Sequence, residues 1–240
     1  MLSNNQRKLI NQLGKKKYRV ENKLFIAEGK KIVNELVNSN LPFKTLFSTE
    51  ENFHPKAELL KFEEMKKITQ FKTPSNVLGI FILPKTHKII GENTTIVIDG
   101  INDPGNLGTI IRLCDWFGLS ELICSKTTVD NYNPKVIQSS MGSIARVRCH
   151  YVENLKASLI ALKKPIYGTS TEGNSIYKNK LLRKASYVFG NESHGISKSI
   201  LEILDGELSI PKFKDGNNFP DSLNVASASA ILLGELFRLN

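Results

Sequence analysis

Two rhythms of apolar and polar positions run along this 240-residue chain. The front third is made of short, interrupted patterns. Ser3 stands where an N-cap belongs, which predicts a helix to Leu13 ended by Gly14. Leu24-Phe25-Ile26-Ala27 reads as a strand. Gly29 opens an amphipathic helix on which Ile32, Val33, Leu36 and Val37 recur at helical spacing. Pro42 breaks it and residues 43–47 are strand-like. His54-Pro55 is expected to start another helix, with Leu59, Leu60 and Phe62 inward. A strand over 77–83 is closed by Pro84, and residues 84–93 read as a linker.

From Thr94 the rhythm becomes strand, helix, strand. Strands are expected over 95–98, 121–124, 147–151, 166–169, 187–189 and 208–210. Helices are expected over 107–117, 134–140, 155–162, 198–204 and 225–239. Such alternation predicts an α/β fold: a mostly parallel sheet with helices on both faces. Ligands in these sheets bind at the carboxyl ends of strands. The pattern divides the chain into residues 1–88, a small α/β domain, and residues 89–240, the larger one.

Composition narrows the class. With 40% hydrophobic and 23% charged residues the chain is globular, not disordered. The start is polar and basic with no apolar core of a leader, and no apolar run reaches about 18 residues. No membrane partner is expected. Cys114, Cys124 and Cys149 lack metal or redox spacing and read as thiols of a reducing cytoplasm. The formal charge is +10. Residues 1–88 hold 17 Lys and Arg against 8 Glu, so nearly all the excess lies there, densest in Arg7, Lys8, Lys15, Lys16, Lys17, Arg19 and Lys23. Such a block fits either a polyanion partner, through counterion release, or a solubilising surface.

Three segments carry candidate chemistry. In the first, a strand ending at Asp99 runs through Gly100-Ile101-Asn102-Asp103-Pro104-Gly105-Asn106 into a helix carrying Arg112. Arg112 lies almost two turns past Asn106 and is expected on roughly the same face. A helix start can hold an anion and an Arg can fork onto phosphate. In the second, Tyr187-Val188-Phe189 enters Gly190-Asn191-Glu192-Ser193-His194-Gly195. Its glycines permit close backbone approach, and Glu192 could hold a hydroxyl. His194, with no carboxylate at fixed spacing, is not assigned as a base. In the third, Ile210-Pro211 leads through a loop to Ser222-Leu223-Asn224, where Ser222 or Asn224 could cap a last helix rich in small residues. No phosphate-binding P-loop, dinucleotide fingerprint, nucleophile elbow or metal-spaced cluster occurs.

Together the three segments resemble the motifs of the SpoU (TrmH-type) RNA ribose 2′-O-methyltransferases of the SPOUT superfamily: Asp103–Arg112 followed by Phe117-Gly118, then Gly190–Gly195, then Ile210-Pro211 with Ser222–Ala228. The front domain resembles that family's ribosomal-protein-like substrate-binding domain, through Phe25-Ile26-Ala27-Glu28-Gly29 and Thr73–Gly79. The resemblance implies a C-terminal trefoil knot, a homodimer, and S-adenosyl-L-methionine held by Gly190, Ile210 and Leu223, with Thr169 a further contact. It implies Arg112, Asn106, Glu192, Ser222 and Asn224 as catalytic residues, with no metal. Ribosomal RNA is favoured over transfer RNA because of the front domain, whose Lys15, Lys16, Lys17 and Arg19 are expected to bind RNA. The alternatives are a tRNA 2′-O-methyltransferase, a base methyltransferase of the superfamily, and a catalytically silent RNA-binding or ribosome-assembly protein. The chain departs from the family pattern at Ser193, in a long loop over 212–221, and at Leu113-Cys114-Asp115-Trp116, where Trp116 is expected in the core.

Overall fold

The computed structural model describes residues 2–85, 88–91, 93–178, 180–212 and 221–238. The helices are α1 (Asn4–Leu13), α2 (Lys16–Asn22), α3 (Lys30–Asn38), α4 (Phe62–Met65), α5 (Pro104–Trp116), α6 (Pro134–Ser140), α7 (Leu155–Ala161), α8 (Lys198–Leu201) and α9 (Val225–Leu236). The strands are β1 (Leu24–Glu28), β2 (Phe43–Ser48), β3 (Ala57–Leu59), β4 (Val77–Ile82), β5 (Thr95–Ile98), β6 (Glu121–Ser125), β7 (Arg148–Val152), β8 (Ile166–Ser175), β9 (Ser186–Phe189) and β10 (Gly206–Ser209). They form two units: Met1–Thr86 with Asp130–Arg146, and His87–Val129 with Val147–Asn240.

The first unit is a four-stranded sheet in the order β1-β4-β2-β3, antiparallel except between β2 and β3. Ser3 caps α1 reciprocally: its Oγ accepts from the Gln6 N–H, and the Gln6 side chain accepts from the Ser3 N–H. That fixes the helix so that Ile10 and Leu13 bury against Ile26, Phe47, Met65 and Leu78. Two elements differ from the sequence pattern. The expected helix at His54-Pro55 is instead the short strand β3 followed by α4. Ala57 pairs with Leu46 of β2, and only Leu60 of the expected inward set is buried, with Leu59 and Phe62 54% and 44% exposed. α2, too polar to show a stripe, forms because its Arg19 is buried. That guanidinium donates to the Leu13 carbonyl and pairs with Asp130. The third difference is α6. Although it follows β6 in the chain, it packs on β1 in the first unit, where Tyr132 packs tilted against Phe25 at 4.8 Å between ring centroids. Residues 130–146 therefore fold outside the unit that a cut at residue 88 would assign them to.

The second unit is a six-stranded, all-parallel sheet in the order β10-β8-β9-β5-β6-β7. Its central strands are buried on both faces, as parallel strands covered by helices must be. Val97, Ile123, Val188, Leu159 and Ile200 form one side of the core. At the strands' amino ends, two buried charges grip the segment entering β5. Glu121 accepts from the N–H groups of Ile90 and Gly91, and Lys164 donates to the carbonyls of Gly91 and Asn93 and to the Thr95 hydroxyl. Trp116 is a clear correction: it is 84% exposed at the end of α5, because Leu107, Ile110, Ile111 and Cys114 already fill that helix's buried face. α9 ends in described structure at Leu236. Residues 213–220 of the long loop, and residue 239, lie outside the described residues.

Candidate active site

Register brings three strand ends level. Ile98 of β5 pairs with Phe189 of β9 and Cys124 of β6, and Gly168 of β8 pairs with Val188. The residues that follow, Asp99, Gly190 and Ser125, therefore emerge side by side at the carboxyl edge, with Thr169 of β8 one residue lower, level with Phe189. There the chain turns from apolar strand to polar loop.

The loops are fixed to one another by backbone and side-chain bonds. Gly100 donates its N–H to the hydroxyls of Ser125 and Thr128, and its carbonyl accepts from Asn191 Nδ2 at 2.7 Å. Asp99, buried, accepts from the Ser197 N–H at the start of α8. The loop after β9 closes on itself: Asn191 and Gly195 exchange both backbone bonds at 2.9 Å. A Cβ on Gly190 would lie 2.3 Å from the Gly195 carbonyl carbon, so only glycine fits that approach.

Across these loops the three sequence segments meet. Asp103 caps α5 by accepting from the Asn106 N–H, which frees the Asn106 side chain to point away from the helix. Asn106 Nδ2 donates to Glu192 Oε1 at 2.9 Å, and Asn224 Nδ2 donates to Asn106 Oδ1 at 2.9 Å. Asn224, not Ser222, caps α9, its Oδ1 accepting from Ala226 and Ser227. One asparagine thus both starts the last helix and reaches the first motif, 118 residues away.

Beside this chain of amides lies a cavity of about 970 Å³. Thr169, Gly190, Ile210 and Leu223 line it, as do Glu192, Ser222 and Asn224. Its walls are otherwise apolar where Ile176, Ile196, Leu201 and Leu208 face it. A cavity of this size, with apolar walls and polar groups on one rim and floor, fits a cofactor-sized ligand, and the glycine cradle at 190 suits one held by backbone. Arg112 is placed differently from the expectation. It is exposed and does not line the cavity. Six residues at 3.6 per turn bring it roughly 240° around α5 from Asn106, off the shared face. Arg19 is corrected too: buried and held by Asp130 and Leu13, it offers no guanidinium to a ligand. Lys15, Lys16 and Lys17 are exposed, and Lys17 lies 3.9 Å from Glu21. Among the described residues no cluster of three or more His, Cys, Asp or Glu is placed to hold a metal. None of the three cysteines is in a disulfide.

Residues 93–234 match the SpoU rRNA Methylase family, and residues 4–79 match the MRM3-like substrate binding domain. The chain belongs to the SpoU rRNA methylase family. Among relatives of this SpoU-family chain, the 23S rRNA (guanosine(2553)-2′-O)-methyltransferase RlmP of Bacillus subtilis (strain 168) is 29% identical over 94% of this chain and 93% of that protein. A TrmH-family structure from Porphyromonas gingivalis superposes with a TM-score of 0.85 at 34% identity, covering 98% of both chains. The AdoMet-bound rRNA methyltransferase from Sinorhizobium meliloti superposes at 0.81 with 28% identity, covering 98% of this chain and 95% of that one.

Some site residues were not assigned from sequence. Asn191 stood inside a quoted motif without a role, and only the bond to Gly100 reveals one. Ser125 and Thr128 follow β6 and reach Gly100 by strand register alone, which no local pattern signals. Ile176, Ile196 and Leu201 carry no polar group that would mark them, yet they wall the cavity.

Proposed function

We propose that this chain transfers a methyl group from S-adenosyl-L-methionine to a ribose 2′-hydroxyl of ribosomal RNA. The observation that carries the reading is the Asn224–Asn106–Glu192 chain at the rim of the cavity, which joins all three motifs. S-adenosyl-L-methionine, when bound, supplies a methyl already activated on a sulfonium, so the protein needs no metal. Thr169, Gly190, Ile210 and Leu223 would hold it. Glu192, fixed by Asn106, would accept the hydrogen bond from the ribose hydroxyl, orient its oxygen and take its proton as the methyl transfers and the neutral thioether leaves, while Ser222 completes the rim. Arg112 keeps its charge through the reaction, so its role is to clamp RNA phosphate and stabilise the developing alkoxide rather than to act as base.

Arg112 does not line the cavity of its own chain, which supports a homodimer in which a second copy supplies it. A sedimenting mass twice 26.9 kDa checks this. The knot is supported by the sheet order: the chain leaves β10 at the edge, yet α9 packs on α5 beyond β9. Three cysteines without a disulfide support a cytoplasmic site, and no described helix is long and apolar enough to cross a membrane. Ribosomal RNA is supported by the N-terminal match and by the relatives' substrates.

The test is to incubate the protein with rRNA and S-adenosyl-L-methionine and digest the product to nucleosides. The wild type yields a 2′-O-methyl nucleoside. Arg112→Ala yields about 100-fold less at unchanged cofactor affinity, the scale of losing one charge-stabilising group. A methyl on the base ring, or full activity in the variant, sinks the reading.

A further inference from the structure

The connection from β8 to β9 stands out from the rest of its unit. Parallel neighbours are usually joined by a helix, and here the described residues between Ser175 and Ser186 form none. The chain leaves Ile176, on the cavity wall, through a turn over 176–178 and returns to the amino end of β9. Residues 177–184 reach up to roughly 27 Å. They carry Lys178, Lys180, Arg183 and Lys184 and no carboxylate. That is four of the sixteen Lys and Arg in residues 89–240, and without them the remainder of that span is net negative.

Elsewhere in the unit some exposed lysines are matched, whereas Lys163 and Lys198 stand in no ion pair among the described residues. Lys126 pairs with Glu153 at 2.6 Å and Lys156 with Glu202 at 2.6 Å. Among the described residues Lys178, Lys180 and Lys184 stand in no ion pair, and all three are exposed. The Arg183 guanidinium lies flat over Phe237, 4.2 Å from its centroid, which holds its plane in place. Tyr177, 50% exposed, follows the cavity residue Ile176. An uncompensated row of cations with an exposed ring at its cavity end fits a single nucleic-acid strand: phosphates along the cations and a base on the ring.

We propose that Tyr177, Lys178, Lys180, Arg183 and Lys184 form a track for single-stranded RNA flanking the nucleotide that enters the cavity, with Tyr177 stacking on a neighbouring base. This rests on the RNA methyltransferase reading and places part of substrate recognition on the catalytic unit. The test measures binding of a labelled single-stranded rRNA fragment to full-length protein across a salt series. Combined Lys178→Ala, Lys180→Ala and Lys184→Ala should lower the salt slope by about 2, at about 0.7 per phosphate contact, and weaken binding at least about tenfold near physiological salt. Affinity for S-adenosyl-L-methionine should stay unchanged. Tyr177→Ala should weaken RNA at least about fivefold while Tyr177→Phe does not. An unchanged slope and affinity overturns the track. So does a changed sedimenting mass with RNA binding intact, which would make the segment a subunit contact. A wild type that binds the cofactor but no RNA overturns the substrate reading itself.

Discussion

In residues 1–88, seventeen cations face eight glutamates, and four of those cations, Lys17, Arg19, Lys30 and Lys66, are held in ion pairs. Arg19 is buried against Asp130, Lys30 lies 2.6 Å from Glu50, and Lys66 lies 2.9 Å from Glu63. In the catalytic unit the totals nearly cancel, but the cations between β8 and β9 have no acidic neighbour among the described residues. The basic third of the sequence is thus partly neutralised in structure, while the near-neutral part carries a concentrated row. Net charge by segment reports how many counterions a region could release, and pairing decides how many it does.

The sharpest way to break that comparison is through Arg19. If its charge is structural, Asp130→Ala leaves a buried guanidinium without its carboxylate and costs about 3–5 kcal/mol of unfolding free energy in urea. The salt slope of RNA binding should not move. A loss below about 1 kcal/mol would return Arg19 to the list of RNA contacts. Deleting residues 1–88 is a poorer experiment, because it strips the cover from Val136 and Ile137, both buried where α6 meets β1.

Why Arg19 read as a surface residue also shows how far sequence reasoning reached. The parallel sheet was legible because β5, β6 and β9 are short apolar runs between turn residues. Both the expected and observed strand at residues 95–98 agree, as do the helix bounds at 134–140. What the pattern could not carry was partnership across long separations. Asp130 lies 111 residues from Arg19, and α6 joins β1 only through such contacts. Trp116 misled for the opposite reason: a large aromatic usually seeks the core, but helical spacing from Leu107, Ile110, Ile111 and Cys114 turns it to solvent. At the site, the motifs located Asn106, Glu192 and Asn224, and the bonds joining them needed coordinates.

Asn224 sharpens the comparison within the catalytic unit, because one side chain serves both folding and the site. Asn224→Asp keeps the acceptor that caps α9 but loses the donor to Asn106. Stability should hold within about 0.5 kcal/mol, while kcat/KM falls by about threefold to tenfold, the scale of one lost neutral hydrogen bond of about 0.5–1.5 kcal/mol. Asn224→Ala should lose comparable activity and about 1 kcal/mol of stability as well. Full activity in the Asp variant would reduce the Asn106 contact to a by-product of capping.

The smallest effect compares a cation inside the catalytic unit with those on its surface. Burial pushes the Lys164 ammonium down to about 8 from 10.5, with the nearby Lys184 pushing the same way and Glu121 opposing. Between about pH 8 and 10.5 the unfolded chain then binds more protons at this lysine than the folded one, so its contribution to stability rises with pH across that window. Lys164→Met has no such proton. The urea stability of the wild type should therefore gain on that of the variant as pH climbs from 8 towards 10, and a flat difference breaks the assignment. Lys184→Ala removes a repelling neighbour. It should raise the Lys164 pKa and move the start of the gain to higher pH, so the fold's own titration reads the field of the surface row from within.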